Sequence, residues 1–201
     1  MPINPGGSFS VAGAPFPGYG SGRYYGPTVP GLTGASRALT ANKIYAMPFF
    51  IKQTQTFAGI SVYQDNVSPT GNIRLGVYND SSGAPATKNT DAGTVAFPGS
   101  TGIRTVTASI ALTAGTWYWL VAVADAALSV SGWGYIPSEG FLNYSQADRG
   151  IIASAITILD GVTTYQGWLP IRGAHVYAAL PSSFPTPETY VLEAPMIFLK
   201  T

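Results

Sequence analysis

The sequence predicts an all-β protein: a jelly-roll-like antiparallel β-sandwich with an extended Gly/Pro/aromatic N-terminal arm. Three observations predict it. Apolar residues beyond residue 43 recur with period two, as they do on strands whose successive side chains face opposite sides. Polar clusters rich in Gly, Pro, Asn, Asp and Ser punctuate these runs. Helical spacing is all but missing; only Gln146–Leu159 keeps a rough 3.6 period, through Ile152, Ile156 and Leu159. Eight or nine short strands with polar turns make a jelly roll most simply, an antiparallel barrel being the alternative.

Residues 1–31 form the arm. Proline and glycine recur there every two or three residues, from Pro2 and Pro5 through Gly18, Gly20 and Gly22 to Pro30 and Gly31, so neither periodicity survives. Such a segment is expected to take no part in a folded core. It nevertheless carries more apolar groups than a solvated spacer needs. It is expected to dock on another protein, with Phe9, Phe16, Tyr19, Arg23, Tyr24 and Tyr25 as the docking residues.

Residues 32–201 are expected to form the sandwich. Ile44–Ile51 is the first strand candidate. Ile60 and Val62 then share one face, with Ser61 and Tyr63 on the other. Ile73, Leu75 and Val77 alternate with Arg74, Gly76 and Tyr78, and Val106, Ala108, Ile110 and Leu112 alternate with Thr105, Thr107 and Ser109. Trp117 to Ala124 is apolar on both faces, as a central strand is. Thr94–Phe97, Leu128–Trp133, Ala174–Leu180 and Pro195–Leu199 complete the set. Turns fall at Asn66–Gly71, Asn79–Gly83, Pro98–Gly102 and Thr113–Gly115. Residues 134–169 break the rhythm and read as a long loop excursion, and Pro181–Pro187 reads as a linker to the last strand.

Composition narrows the partners. Charged residues make up 9% of the chain, against an ordinary ~25%. So few charges suit neutral faces packed between subunits, which predicts a homo-oligomer, most simply a trimer of closed symmetry. The net charge of +1 gives no basic stripe for nucleic acid. Residues 1–64 hold Arg23, Arg37, Lys43 and Lys52 and no acid, whereas Asp125 to Glu193 holds six acids against Arg149 and Arg172. That asymmetry favours docking in one orientation. The most apolar run, Trp117 to Ala124, is too short to span a bilayer, and no signal peptide is visible, so synthesis in a cytoplasm without membrane insertion is expected.

No catalytic or metal residue and no cofactor is expected, and the chain reads as a non-enzyme. Cysteine is absent and His175 is the sole histidine, set in a strand-like run where packing is its usual role. Gly34-Ala-Ser-Arg-Ala38 is a poor match to a nucleophile elbow. Asp148 and Asp160 could pair across a cleft, and Asp80 and Asp91 bracket a loop that could hold calcium, but acids are also ordinary turn formers. The remaining candidate is aromatic. Trp133, Tyr135, Tyr165 and Trp168 lie in or beside the excursion and could stack on sugar rings, or simply pack.

Ser36-Arg-Ala-Leu-Thr-Ala-Asn-Lys-Ile-Tyr-Ala-Met-Pro-Phe-Phe-Ile51 resembles the opening of β-sandwich modules in tailed-bacteriophage virion proteins. So do Ile73-Arg-Leu-Gly-Val-Tyr-Asn-Asp80 and Leu112-Thr-Ala-Gly-Thr-Trp-Tyr-Trp-Leu-Val121. The resemblance spans roughly residues 24–133 and the final strand, and it is to tail-fibre, head-fibre and decoration modules. It implies a virion surface protein that meets other capsid or tail proteins through its arm and displays the sandwich outward; contact with host glycan is expected only through the aromatics Trp133, Tyr135, Tyr165 and Trp168. A heptad shaft is missing, so a compact knob is expected. A free carbohydrate-binding module is the alternative.

Overall fold

The computed structural model describes residues 16–26, 32–67, 69–135, 155–157, 164–166, 171–190 and 193–201. These residues contain strands and no helix, hence no helix long and apolar enough to cross a membrane. Eight strands build the frame: β2 (Leu32–Ala38), β3 (Lys43–Ile51), β4 (Gln55–Gln64), β5 (Gly71–Ser81), β6 (Ala84–Phe97), β7 (Gly102–Leu112), β8 (Thr116–Ala124) and β9 (Ser129–Tyr135). Their pairing is nested: β5 with β6, β4 with β7, β3 with β8 and β2 with β9, all antiparallel. This is one long hairpin, and rolling it up places alternate pairs in opposite sheets. One sheet carries β3-β8-β5-β6; the other carries β9 with β2, and β4 with β7, joined where Gln64 meets Val130. That order is the jelly roll, and the expected fold class is the observed one.

Five further strands extend these sheets, β1 (Tyr24–Tyr25), β12 (Ile171–Ala174), β13 (Pro187–Tyr190), β14 (Glu193–Pro195) and β15 (Ile197–Lys200), while β10 (Ala155–Thr157) and β11 (Thr164–Gln166) pair only with each other. Strands β12 and β13 extend the first sheet beyond β3. At the other sheet, β4 and β9 meet only at Gln64 and Val130, and the C-terminal segment fills the opening between them. Strand β14 runs along β9 toward that junction, the chain bends at Met196, and β15 runs back along β4. Strand β1 then adds to the free edge of β15.

Between the sheets lies the main core, including Phe57, Ile60, Val62, Ile73, Leu75, Val77, Phe97, Ile110, Leu120 and Leu199. The period-two runs made this core, because each strand turns every second residue inward. Strand β8 is buried on both faces, as expected, and the reason is a second core on the outer face of its sheet. There Ile44, Tyr78, Trp119, Val121 and Val123, with Ile171 of the neighbouring strand, are covered by Leu180, Tyr177 and Phe184.

The segment that covers them was expected to be a strand through Leu180. It leaves the sheet at Ala174, where bonds to the backbone and side chain of Asn42 and to the Asp91 carboxylate replace the strand ladder. Asn42, in the left-handed conformation at φ 58°, accepts from His175 N at its carbonyl oxygen and from Tyr177 N at Oδ1. Asp91 accepts from Leu180 N (3.0 Å), and Pro181 O accepts from Tyr78 Oη (2.7 Å). Leu180 drops onto Gly76, where a Cβ would lie 2.4 Å from Leu180 Cδ1 and 2.5 Å from Thr90 O, so only glycine fits.

Three other expectations change. Strand β6 runs over 14 residues, of which the sequence reading found only Thr94–Phe97, since Pro85 and a mixed polar pattern mask an edge strand. The described part of the segment expected to show helical spacing, Ala155–Thr157, is a strand paired with Thr164–Gln166. And the arm does take part in the core, through Tyr19 and Tyr25, which pack at its margin.

Candidate binding groove on the outer sheet face

Odd-numbered residues at the end of β4 face outward, because Ile60, Val62 and Gln64 are turned in and buried. Tyr63 is therefore presented on the outer face, directly opposite Ile103 of β7. Ser61, on the same face, lies opposite Phe198 of β15 and Thr105 of β7, and shares a hydroxyl hydrogen bond with Thr105 (2.8 Å). The bend at Met196, pinned by Met196 N donating to Ser131 O (2.9 Å), brings that side chain alongside. Tyr24 of β1 closes the far wall, held across from Lys200, whose Nζ lies 5.8 Å from its ring centre. Gly26 lets the chain pass, because a Cβ there would sit 2.8 Å from the Phe198 ring.

The result is an open cavity of about 360 Å³ lined by Tyr24, Tyr63, Ile103, Ser131, Met196 and Phe198. None of these side chains is charged. Tyr24 (38% exposed), Tyr63 (39%) and Ile103 (49%) are three of the large apolar side chains that the described residues leave in solvent, and all three converge here. Single exposed apolar residues mean little; three of them gathered beside Met196 and Phe198 make this groove the candidate site.

The arm residues named from the sequence fall as follows. Phe9 lies outside the described residues. Phe16 packs edge-on against Tyr19 (4.9 Å between ring centres), and Lys52 Nζ sits 5.6 Å from the Phe16 ring centre. Tyr19 in turn meets Tyr25 (4.8 Å) and the buried Phe57 (5.0 Å), and its Oη accepts from Lys52 N (3.3 Å). Burial pushes the Tyr19 phenol above its ordinary range. Tyr25 Oη accepts from Gly20 N (2.6 Å). Arg23 is exposed, while its backbone bonds Thr201 in both directions. Residues 16–26 thus lie on their own sandwich, and of the five described arm residues only Tyr24 lines the groove.

The four aromatics expected to bind sugar fall mainly outside the described residues. The backbones of Trp133 and Tyr135 lie on β9, opposite Gly34 and Leu32 of β2, and Tyr165 lies on β11 opposite Ile156. Their side chains and all of Trp168 lie outside the described residues, as do Asp148 and Asp160. Asp80 and Asp91 accept from protein donors instead of sharing a loop site. Asp80 takes Trp119 Nε1 (2.8 Å) and Gly83 N (3.2 Å), and Asp91 takes Arg74 Nε (2.8 Å) and Nη2 (2.9 Å). No group of three metal-ligating side chains occurs among the described residues. Of the charge asymmetry, Glu188 is used within the chain, by Lys43 (2.5 Å) and Arg172 (3.8 Å).

Sequence reasoning missed Ile103, Ser131, Met196 and Phe198. The one local signal was Tyr63, an aromatic on the outward side of an alternating strand. Comparisons with protein-family models, with characterised proteins and with solved structures returned no match to this chain.

Proposed function

We propose that this chain is a non-enzymatic surface protein of a tailed-bacteriophage virion, attached through its N-terminal arm and displaying the jelly roll outward. The observation that carries the reading is the uncharged, aromatic-walled groove on a domain with very few charges. Such a surface suits a subunit held among neutral neighbours. The sequence resemblance to tail-fibre, head-fibre and decoration modules supplies the virion setting. Adhesion to host glycan through Trp133, Tyr135, Tyr165 and Trp168 belongs to the same reading as a secondary role.

Immunogold labelling of purified particles with antibody against this chain tests it. Label spread over the head supports a decoration protein. Label at the tail tip supports a host-recognition module and directs a glycan screen to the four aromatics. Purified particles without the protein overturn the proposal and favour the free carbohydrate-binding module.

A further inference from the structure

The groove has a candidate occupant within the same sequence. Residues 1–15 precede the first described residue and contain no charged side chain, but they hold Pro2, Pro5 and Pro15 together with Ile3, Phe9 and Val11. Proline-rich segments stiffen into extended conformations that cost little entropy to bind, and aromatic-lined grooves are their usual receptors. The walls formed by Tyr24, Tyr63 and Phe198, with Ile103 and Met196 beside them, have that character. A cavity of about 360 Å³ has room for a few side chains of a peptide.

Chain direction decides which copy supplies the segment. Phe16 and Tyr19 sit by Lys52 and Phe57, at the opposite end of β4 from Tyr63. From there the chain runs toward the groove, passing Tyr24 opposite Lys200 and reaching Gly26 against Phe198. An upstream segment entering the groove of its own copy would have to run back against that course, whereas one supplied by a neighbouring copy would not be bound to it. Fifteen extended residues span up to about 50 Å, enough to cross to an adjacent subunit.

We propose that residues 1–15 of one copy bind the groove lined by Tyr24, Tyr63, Ile103, Met196 and Phe198 on a second copy. The inference rests on the assembly reading above and names the surface that the arm grips. An arm exchanged between copies links subunits without requiring large matched faces.

The test uses the full chain with p-benzoylphenylalanine in place of Phe9, mixed with an isotope-labelled copy and irradiated. Mass spectrometry then identifies the cross-linked peptides. Hybrid cross-links between labelled and unlabelled copies, at peptides containing Tyr63 or Ile103, are the expected result. Ile103→Arg, an exposed site where the substitution need not disturb the core, should lower their yield by about tenfold, a loss of only about 1.4 kcal/mol. Cross-links confined within one copy overturn exchange in favour of a segment folded back on itself. Cross-links that avoid the groove, or a yield unchanged by Ile103→Arg, overturn the groove as the receptor. The measurement needs no particles, so a chain that exchanges arms yet is missing from virions would fail only the virion reading.

Discussion

Asp91→Asn should cost this fold about 2–3 kcal/mol at neutral pH, and the loss should vanish in acid. The Asp91 carboxylate is the clasp of the second core. It accepts two hydrogen bonds from the Arg74 guanidinium and one from Leu180 N, the residue that seals Tyr78 and Trp119. The carboxamide has nearly the same shape but one acceptor oxygen, so Arg74 and Leu180 N compete for it. Hydrogen bonds to charged groups contribute ~1.5–3 kcal/mol each. The Arg74 side chain is 23% exposed, so water recovers part of its loss and about 1–2 kcal/mol of it remains. Leaving Leu180 N partly unsatisfied adds about 1 kcal/mol. In a domain of this size the sum lowers the melting temperature by about 5–10 °C.

The pH dependence follows from the same contacts. Burial pushes the Asp91 carboxyl up, but the hydrogen bonds from Arg74 and Leu180 N, with the charges of Arg74 and Lys88, outweigh it and hold the group below its ordinary range. A depressed carboxyl contributes stability above its unfolded value, near 4, and loses it as pH falls through the lower folded value. Urea titrations followed by tryptophan fluorescence, run on both proteins from about pH 7 to about pH 2.5, measure the gap directly. Other carboxylates affect both proteins alike, so the difference isolates Asp91. A gap under about 0.5 kcal/mol at neutral pH, or one that persists undiminished in acid, would refute the clasp.

Gly76→Ala should destabilise by about 1–3 kcal/mol, because the new methyl meets the Thr90 carbonyl as well as Leu180; pairing it with Leu180→Ala should not restore stability, since Thr90 O is backbone, and a denaturation series checks both. At the alkaline end, burial and then the Asp91 charge raise the Tyr78 phenol well above its ordinary range. Stability is therefore complete below about pH 10 and falls as pH rises toward the folded value; Tyr78→Phe should flatten that limb in melts recorded from about pH 8 upward. Tyr19→Ala removes the contact that holds residues 16–26 against Phe57, and tryptic cleavage after Arg23 should accelerate several-fold while the melting temperature moves little.

The frame of the fold was legible because it rests on a local property. Alternation in Ile73–Val77 or Thr105–Leu112 is written in adjacent residues, and burying one face of each run requires two sheets. Segments that take their backbone partners from elsewhere were illegible. Residues 175–180 alternate well enough to pass for a strand, but their bonds go to Asn42 and Asp91, which lie 135 and 89 residues away from their partners Tyr177 and Leu180. The arm misled for a related reason. Its glycines and prolines do exclude regular periodicity, yet two residues of strand, Tyr24 and Tyr25, suffice once β15 offers a free edge.

The groove illustrates why a binding surface can escape a reading that finds the core. Tyr63 and Ile103 are neighbours only through the β4–β7 register, and Phe198 and Met196 join them only because the C-terminal segment bends into the gap between β4 and β9. Periodicity assigns each of these residues an outward direction and then stops, since it carries no information on which outward residues of distant strands converge. Composition did carry it, in diluted form. A chain with 9% charged residues must have neutral surface somewhere, and among the described residues part of it lies where β1 and β15 flank Tyr63 of β4 and Ile103 of β7. The termini of this sandwich thus build one wall of the groove, so an arm arriving there from another copy would bear on the same strands that close the receiving fold.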